Sequence, residues 1–98
     1  MGAPAMPILR IQETDAAEVS DASAVTATTA KGRAWTARIV ADVPIFVLIG
    51  VDAEATVDDL YINEFEECAH LAVSADQEVS VLGTDSGTVW VSEIRVSA

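Results

Sequence analysis

Cysteine, histidine and cationic side chains are scarce in this 98-residue chain, and each scarcity removes a class of function. A single cysteine, Cys68, precludes an internal disulfide, so the fold must rest on its apolar core alone. A single histidine, His70, leaves too few soft ligands for a zinc site, which draws about three or four from Cys, His and carboxylate. Five lysines and arginines against sixteen aspartates and glutamates give a net charge of −11, which opposes any general grip on a phosphate backbone. Aromatics are 5% of the residues, too few to line a deep sugar cleft. The longest apolar run, Val43 to Val51, covers nine residues and contains Pro44, whereas a membrane helix needs about 20. Met1 to Pro7 lacks the basic start and long apolar stretch of a secretory signal, so a soluble chain is expected.

What remains is short-chained and apolar. Hydrophobic residues make up 51%, mostly Ala and Val, which suits a small β protein and argues against disorder. Charge divides the chain sharply. Residues 1–41 hold four acids and four bases, while residues 42–98 hold twelve acids and only Arg95. Seven of those acids crowd between Asp52 and Glu67: Asp52, Glu54, Asp58, Asp59, Glu64, Glu66 and Glu67. Three readings stay open for them: a solvated loop, a calcium site of no EF-hand spacing, and contact with a basic partner surface.

Alternation and turn residues predict about eight short strands. Ile8–Gln12 is the first, and Thr14–Ser23 reads as a loop or one helical turn. Ala24–Thr29 follows, then Lys31-Gly32 as a turn. Arg33–Ala41 alternates, with Trp35, Ala37, Ile39 and Ala41 on one face and Thr36, Arg38 and Val40 on the other. Asp42-Val43-Pro44 breaks that strand, since proline cannot donate into a central ladder. Ile45–Ile49, Leu60–Ile62, Cys68–Val73, Glu78–Leu82 and Thr88–Ile94 complete the set. Thr84-Asp85-Ser86-Gly87 reads as a four-residue hairpin loop joining the last two. Strands at this spacing predict an all-β, antiparallel, jelly-roll-like sandwich over residues 24–98 with an extended N-terminal arm over residues 1–23.

Candidate chemistry is thin. Cys68 and His70 share a strand face, but Glu64, Glu66 and Glu67 nearby would raise the thiol pKa, which argues against a nucleophile. Carboxylates are too abundant to single out a catalytic pair. No catalytic, metal or cofactor residue is assigned, and none is expected. Trp35 and Trp90 are core, interface or stacking platforms, with Trp90 on a mixed face beside Thr88, Ser92 and Ile94. Lys31, Arg33 and Arg38 are the cationic cluster of an acidic molecule, and two readings stay open for them: scattered solvated charges, or contact with an acidic neighbour or subunit. Ile45–Ile49 and Thr88–Val91 are apolar on both faces and need a second cover, which predicts a closed dimer or trimer.

Three stretches carry a likeness to known proteins. They are Arg38-Ile39-Val40-Ala41 with Val43 to Gly50, then Ala55-Thr56, then Val79 to Gly83 with Gly87 to Ile94. Together they resemble the capsid cement or decoration proteins of tailed bacteriophages. Where such proteins often turn on Pro or Gly before the sixth strand, this chain has Tyr61 to Glu67. The resemblance implies a non-enzymatic virion component on the outer capsid surface, made in the host bacterial cytoplasm. It implies a β-sandwich that oligomerises and bridges major capsid protein subunits, with no cofactor, nucleic acid or membrane. The interface expected from it and from the residues together is Ile8, Leu9, Arg10 and Ile11 of the arm, with Lys31, Arg33, Trp35, Arg38, Phe46, Leu48 and Trp90. Alternatives are a tail or head–tail connector component, or a small carbohydrate-binding module using a tryptophan platform.

Overall fold

A computed structural model describes residues 8–66 and 68–97, and these contain eight strands and no helix. The strands are β1 (Ile8–Val19), β2 (Val25–Thr28), β3 (Trp35–Ala41), β4 (Ile45–Gly50), β5 (Leu60–Ile62), β6 (Cys68–Val73), β7 (Glu78–Gly83) and β8 (Gly87–Ser97). They form two antiparallel four-stranded sheets, β1-β8-β3-β6 (sheet I) and β2-β7-β4-β5 (sheet II). The pairing is nested: β1 with β8, β2 with β7, β3 with β6, β4 with β5. The chain is thus one long hairpin folded at β4–β5 and rolled until β3 meets β8 and β4 meets β7. That is the jelly-roll expected of a chain with eight regularly spaced strands.

Alternation decides what goes inside. Trp35, Ala37, Ile39 and Ala41 of β3 all face the core, as do Val89 and Val91 of β8, Val79 and Val81 of β7, and Ile45 and Val47 of β4. Valine and alanine make up most of that core, around Trp35, Ile39, Ile45 and Ile62, and the β-branched valines suit a pleated inner face. The second cover for β4 comes in part from the same chain. The loop after β4 folds onto the outer face of sheet II, where the Ala55 N–H donates to the buried Ser80 Oγ at 2.9 Å, and Ser80 lies in register with Leu48.

Two expectations are corrected. Residues 8–19 are not an arm outside the sandwich: β1 is an edge strand of sheet I, paired with β8 from Ile8↔Ser97 to Val19↔Gly87. Val19 is buried and Ala17 packs on the core, so register with β8 outweighs the weak strand propensity of the Asp15–Glu18 segment. The first seven residues of the expected arm lie outside the described residues.

The expected terminal hairpin is the second correction. β7 and β8 lie in different sheets, and residues 84–86 cross between them. The flanking glycines are there for close approach. A Cβ on Gly83 would come within 2.7 Å of the Asp85 carbonyl oxygen, and one on Gly87 within 2.6 Å of Val43 Cγ2. The corner is tied by Gly83 N–H to Ser20 O and Thr84 N–H to Pro44 O, both 3.0 Å, and by Thr88 N–H to Asp42 Oδ1 at 2.7 Å.

Candidate functional site

The ion pairs of Lys31, Arg33 and Arg95 gather at one end of the sandwich, where the inner face of β8 turns from valine to a carboxylate. Glu93 follows Val89 and Val91 on that face, and its side chain is only 1% exposed. Arg33, in the connection from β2 to β3, donates from Nη2 to Glu93 Oε1 at 2.6 Å. Arg95 donates from Nε to Glu93 Oε2 at 3.1 Å. The Arg33 hydrogen bond is the main influence holding the Glu93 carboxyl below its usual range, against a burial that pushes it up. The same bond raises Arg33 above the ordinary arginine value. Both groups are driven away from neutrality, so the pair is a fixed ionic clasp with no proton poised for transfer near pH 7.

Neighbouring groups extend the clasp. Lys31 Nζ lies 3.1 Å from Glu13 Oε2 and 5.0 Å from the Trp35 ring centroid, a cation–π contact. Thr28 Oγ1 on sheet II donates to Asp15 Oδ2 on sheet I at 3.0 Å, a polar tie across the open side of the sandwich. Trp35 Nε1 is buried here without a protein partner.

This placement separates the residues expected at one interface. Trp35 is in the core at 7% exposure and is unavailable to any partner, a correction that follows from its inward place in the β3 alternation. Lys31 and Arg33, expected to meet an acidic neighbour, meet Glu13 and Glu93 of their own chain. Arg38 and Trp90 share the outer face of sheet I. Trp90 is 37% exposed and lies in register with Ala16 and Val40, and Arg38 lies in register with Ser92, which is hydrogen-bonded to Thr14. Phe46 and Leu48 are half-buried on the outer face of sheet II, on the other side of the molecule. Ile11 is exposed on β1, while the side chains of Ile8, Leu9 and Arg10 lie outside the described residues, as do those of Cys68 and His70.

Two groups escaped the sequence reading. Glu93 was signalled by its spacing, two residues after Val91 and four after Val89 on an inward stripe. Leu60, Tyr61 and Phe65 were signalled by being large and apolar inside the most acidic stretch. Phe65 is 69% exposed and Tyr61 52%, with the Tyr61 ring 5.6 Å from that of Phe46. A shallow depression lined by Glu18, Val19, Ser20, Ser86, Gly87 and Thr88 lies beside the β7–β8 corner and brings no set of reactive groups together. Among the described residues no group of three or more His, Cys, Asp or Glu is placed to hold a metal ion. No protein-family model, curated protein or solved structure matches the chain.

Proposed function

We propose that this chain is a non-enzymatic virion structural protein that binds the outer surface of a tailed-phage capsid and stabilises it by bridging neighbouring major coat subunits. One observation carries the reading. The described cations are engaged within the molecule, while large apolar side chains stay exposed on the sandwich. Five of those side chains come from one stretch, residues 51–65, and a gathering of exposed apolar residues favours a protein-binding role. The resemblance to cement proteins supports the coat as that partner. Its strand motifs are β3, β4, β7 and β8, the central pair of each sheet, so the likeness lies in the frame of the jelly-roll.

Mechanistically, each docked copy would bury roughly 1,000 Å² across a junction between coat subunits, the order needed for a specific contact. Symmetric repetition turns many such contacts into resistance of the shell to internal pressure. The test is stoichiometry on purified particles, with the 10.3 kDa chain quantified against the coat protein. A cement protein is expected at on the order of hundreds of copies, as repetition over a symmetric shell requires. A handful of copies would reassign the chain to a tail or connector, and none would remove the virion reading.

A further inference from the structure

We infer that the edge of sheet II bordered by β5 is the docking face, and that it fits an apolar protein surface rimmed by lysine and arginine. The inference rests on the capsid reading, in which that surface belongs to the coat.

The first ground is where the apolar exposure falls. Among the described residues the exposed large hydrophobics are Ile11, Trp90 and five others, Val51, Val57, Leu60, Tyr61 and Phe65. Those five come from one run of chain that leaves β4, forms β5 at the open edge of sheet II, and passes into the turn before β6. None of the residues expected at an interface lies in that run. One of its rings is braced, and the backbone that carries another is fixed, before any partner arrives. Tyr61 is braced by Phe46, ring planes tilted by 58°. Phe65 sits at φ +53°, with its N–H bound to the Ala41 carbonyl at 2.7 Å, and its side chain is displayed to solvent. Aromatic anchors fixed in the free protein lose little freedom on binding, which is what makes such residues dominate interface energies.

The second ground is charge, and it selects the occupant. Asp52, Glu54, Asp58, Asp59, Glu64 and Glu66 interleave with the apolar residues, and among the described residues no ion pair reaches these six. A second copy of this chain is a poor source of the missing cations. Of its five lysines and arginines, Lys31 is bound to Glu13, Arg33 and Arg95 are bound to Glu93, and Arg38 is engaged as well, which leaves Arg10, whose side chain lies outside the described residues. At a net charge of −11, a second copy would bring mainly more carboxylates to the contact. The complementary surface is therefore basic at its rim and apolar at its centre.

The experiment compares native protein with Phe65→Asn and with the double variant Phe65→Asn/Tyr61→Thr, each measured as copies per purified particle. Asparagine suits the left-handed backbone at 65 and threonine suits a strand, so both variants should keep the native melting temperature. The expected result is occupancy at least about tenfold lower for the double variant, as for loss of central aromatic anchors. Native protein should also wash from particles more readily as salt is raised from about 50 to about 500 mM, since screening removes the rim attraction. Native-level occupancy by a normally melting double variant overturns the assignment of this face and leaves the capsid reading standing. Sedimentation showing a native oligomer that Phe65→Asn dissociates overturns it in favour of a second copy. Absence of native protein from particles overturns both.

Discussion

Glu93 stands where the alternation of β8 asks for another valine, and the cost of placing a carboxylate there is offset by two arginines. A buried ion pair of this kind adds little net stability over an apolar replacement, because desolvation consumes most of the attraction. Removing one member is different, since the remaining charges lose their partner. Glu93→Gln keeps the shape and one acceptor but loses the charge, so it should cost roughly 1–2 kcal/mol at pH 7. The guanidinium of Arg33 and then that of Arg95 hold the native carboxyl below its unfolded value of about 4.3. A depressed pKa contributes stability that is fully present above the unfolded value and is lost as pH falls through the folded one. The native protein and Glu93→Gln should therefore differ in urea unfolding at pH 7 and converge as pH falls through the lowered folded value of the carboxyl. A difference undiminished below that value would mean that the substituted amide packs badly and that the charge is not the cause.

At the scale of elements, the sequence reports strands faithfully and reports their partners poorly. β3 and β4 were readable to within two residues because alternation and the Asp42-Val43-Pro44 break are local signals. Of β1 only Ile8–Gln12 was, because Asp15, Ala16, Ala17 and Glu18 have weak strand propensity and are held extended by register with β8, at the other end of the chain. The turn chemistry of Thr84 to Gly87 was misread for a similar reason. Asp-Ser-Gly fits a hairpin and a crossover equally well, and only the close contacts of Gly83 and Gly87 with Val19 and Val43 distinguish them. The candidate site divided in the same way. The inward or outward place of Trp35, Arg38 and Trp90 could be read from alternation, whereas the clasp of Arg33 and Arg95 on Glu93 depends on which connection lies over which strand end.

The role of β1 yields a test at this scale. β3 pairs with β8 only from Val89 to Ile94, so residues 8–10 and 95–97 form a two-stranded ribbon beyond the reach of β3. A two-stranded ribbon adds little stability by itself. A chain starting at residue 12 should fold and melt within a few degrees of the full chain. A chain starting at residue 20 loses Val19 and Ala17 from the core and uncovers the whole edge of β8, and it should fail to fold cooperatively. Circular dichroism melts of the two chains separate an integral strand from a dispensable arm. Equal, cooperative melting of both would return residues 8–19 to the status of an arm.

The whole molecule is elongated, 57 × 28 × 21 Å, with its charge spread unevenly over that length. Two electrostatic effects oppose each other in it. Attraction is concentrated in a few internal pairs, and the strongest centres on a carboxylate that water and salt barely reach. Repulsion is spread over the acids, which outnumber the cations about threefold in the chain and form a dense, largely exposed group between Asp52 and Glu66. Salt acts on the exposed charges first, because the screening length shortens from about 30 Å at 0.01 M to about 10 Å at 0.1 M, well inside the molecular dimensions. The repulsion is therefore relieved while the Glu93 clasp persists. Melting temperature should rise by several degrees between about 10 and 300 mM sodium chloride, and Asp58→Asn with Asp59→Asn should flatten that rise. A melting temperature that falls with salt would show that the ion pairs at Glu13 and Glu93 outweigh the repulsion, and that the acidic run is too well hydrated to strain the fold.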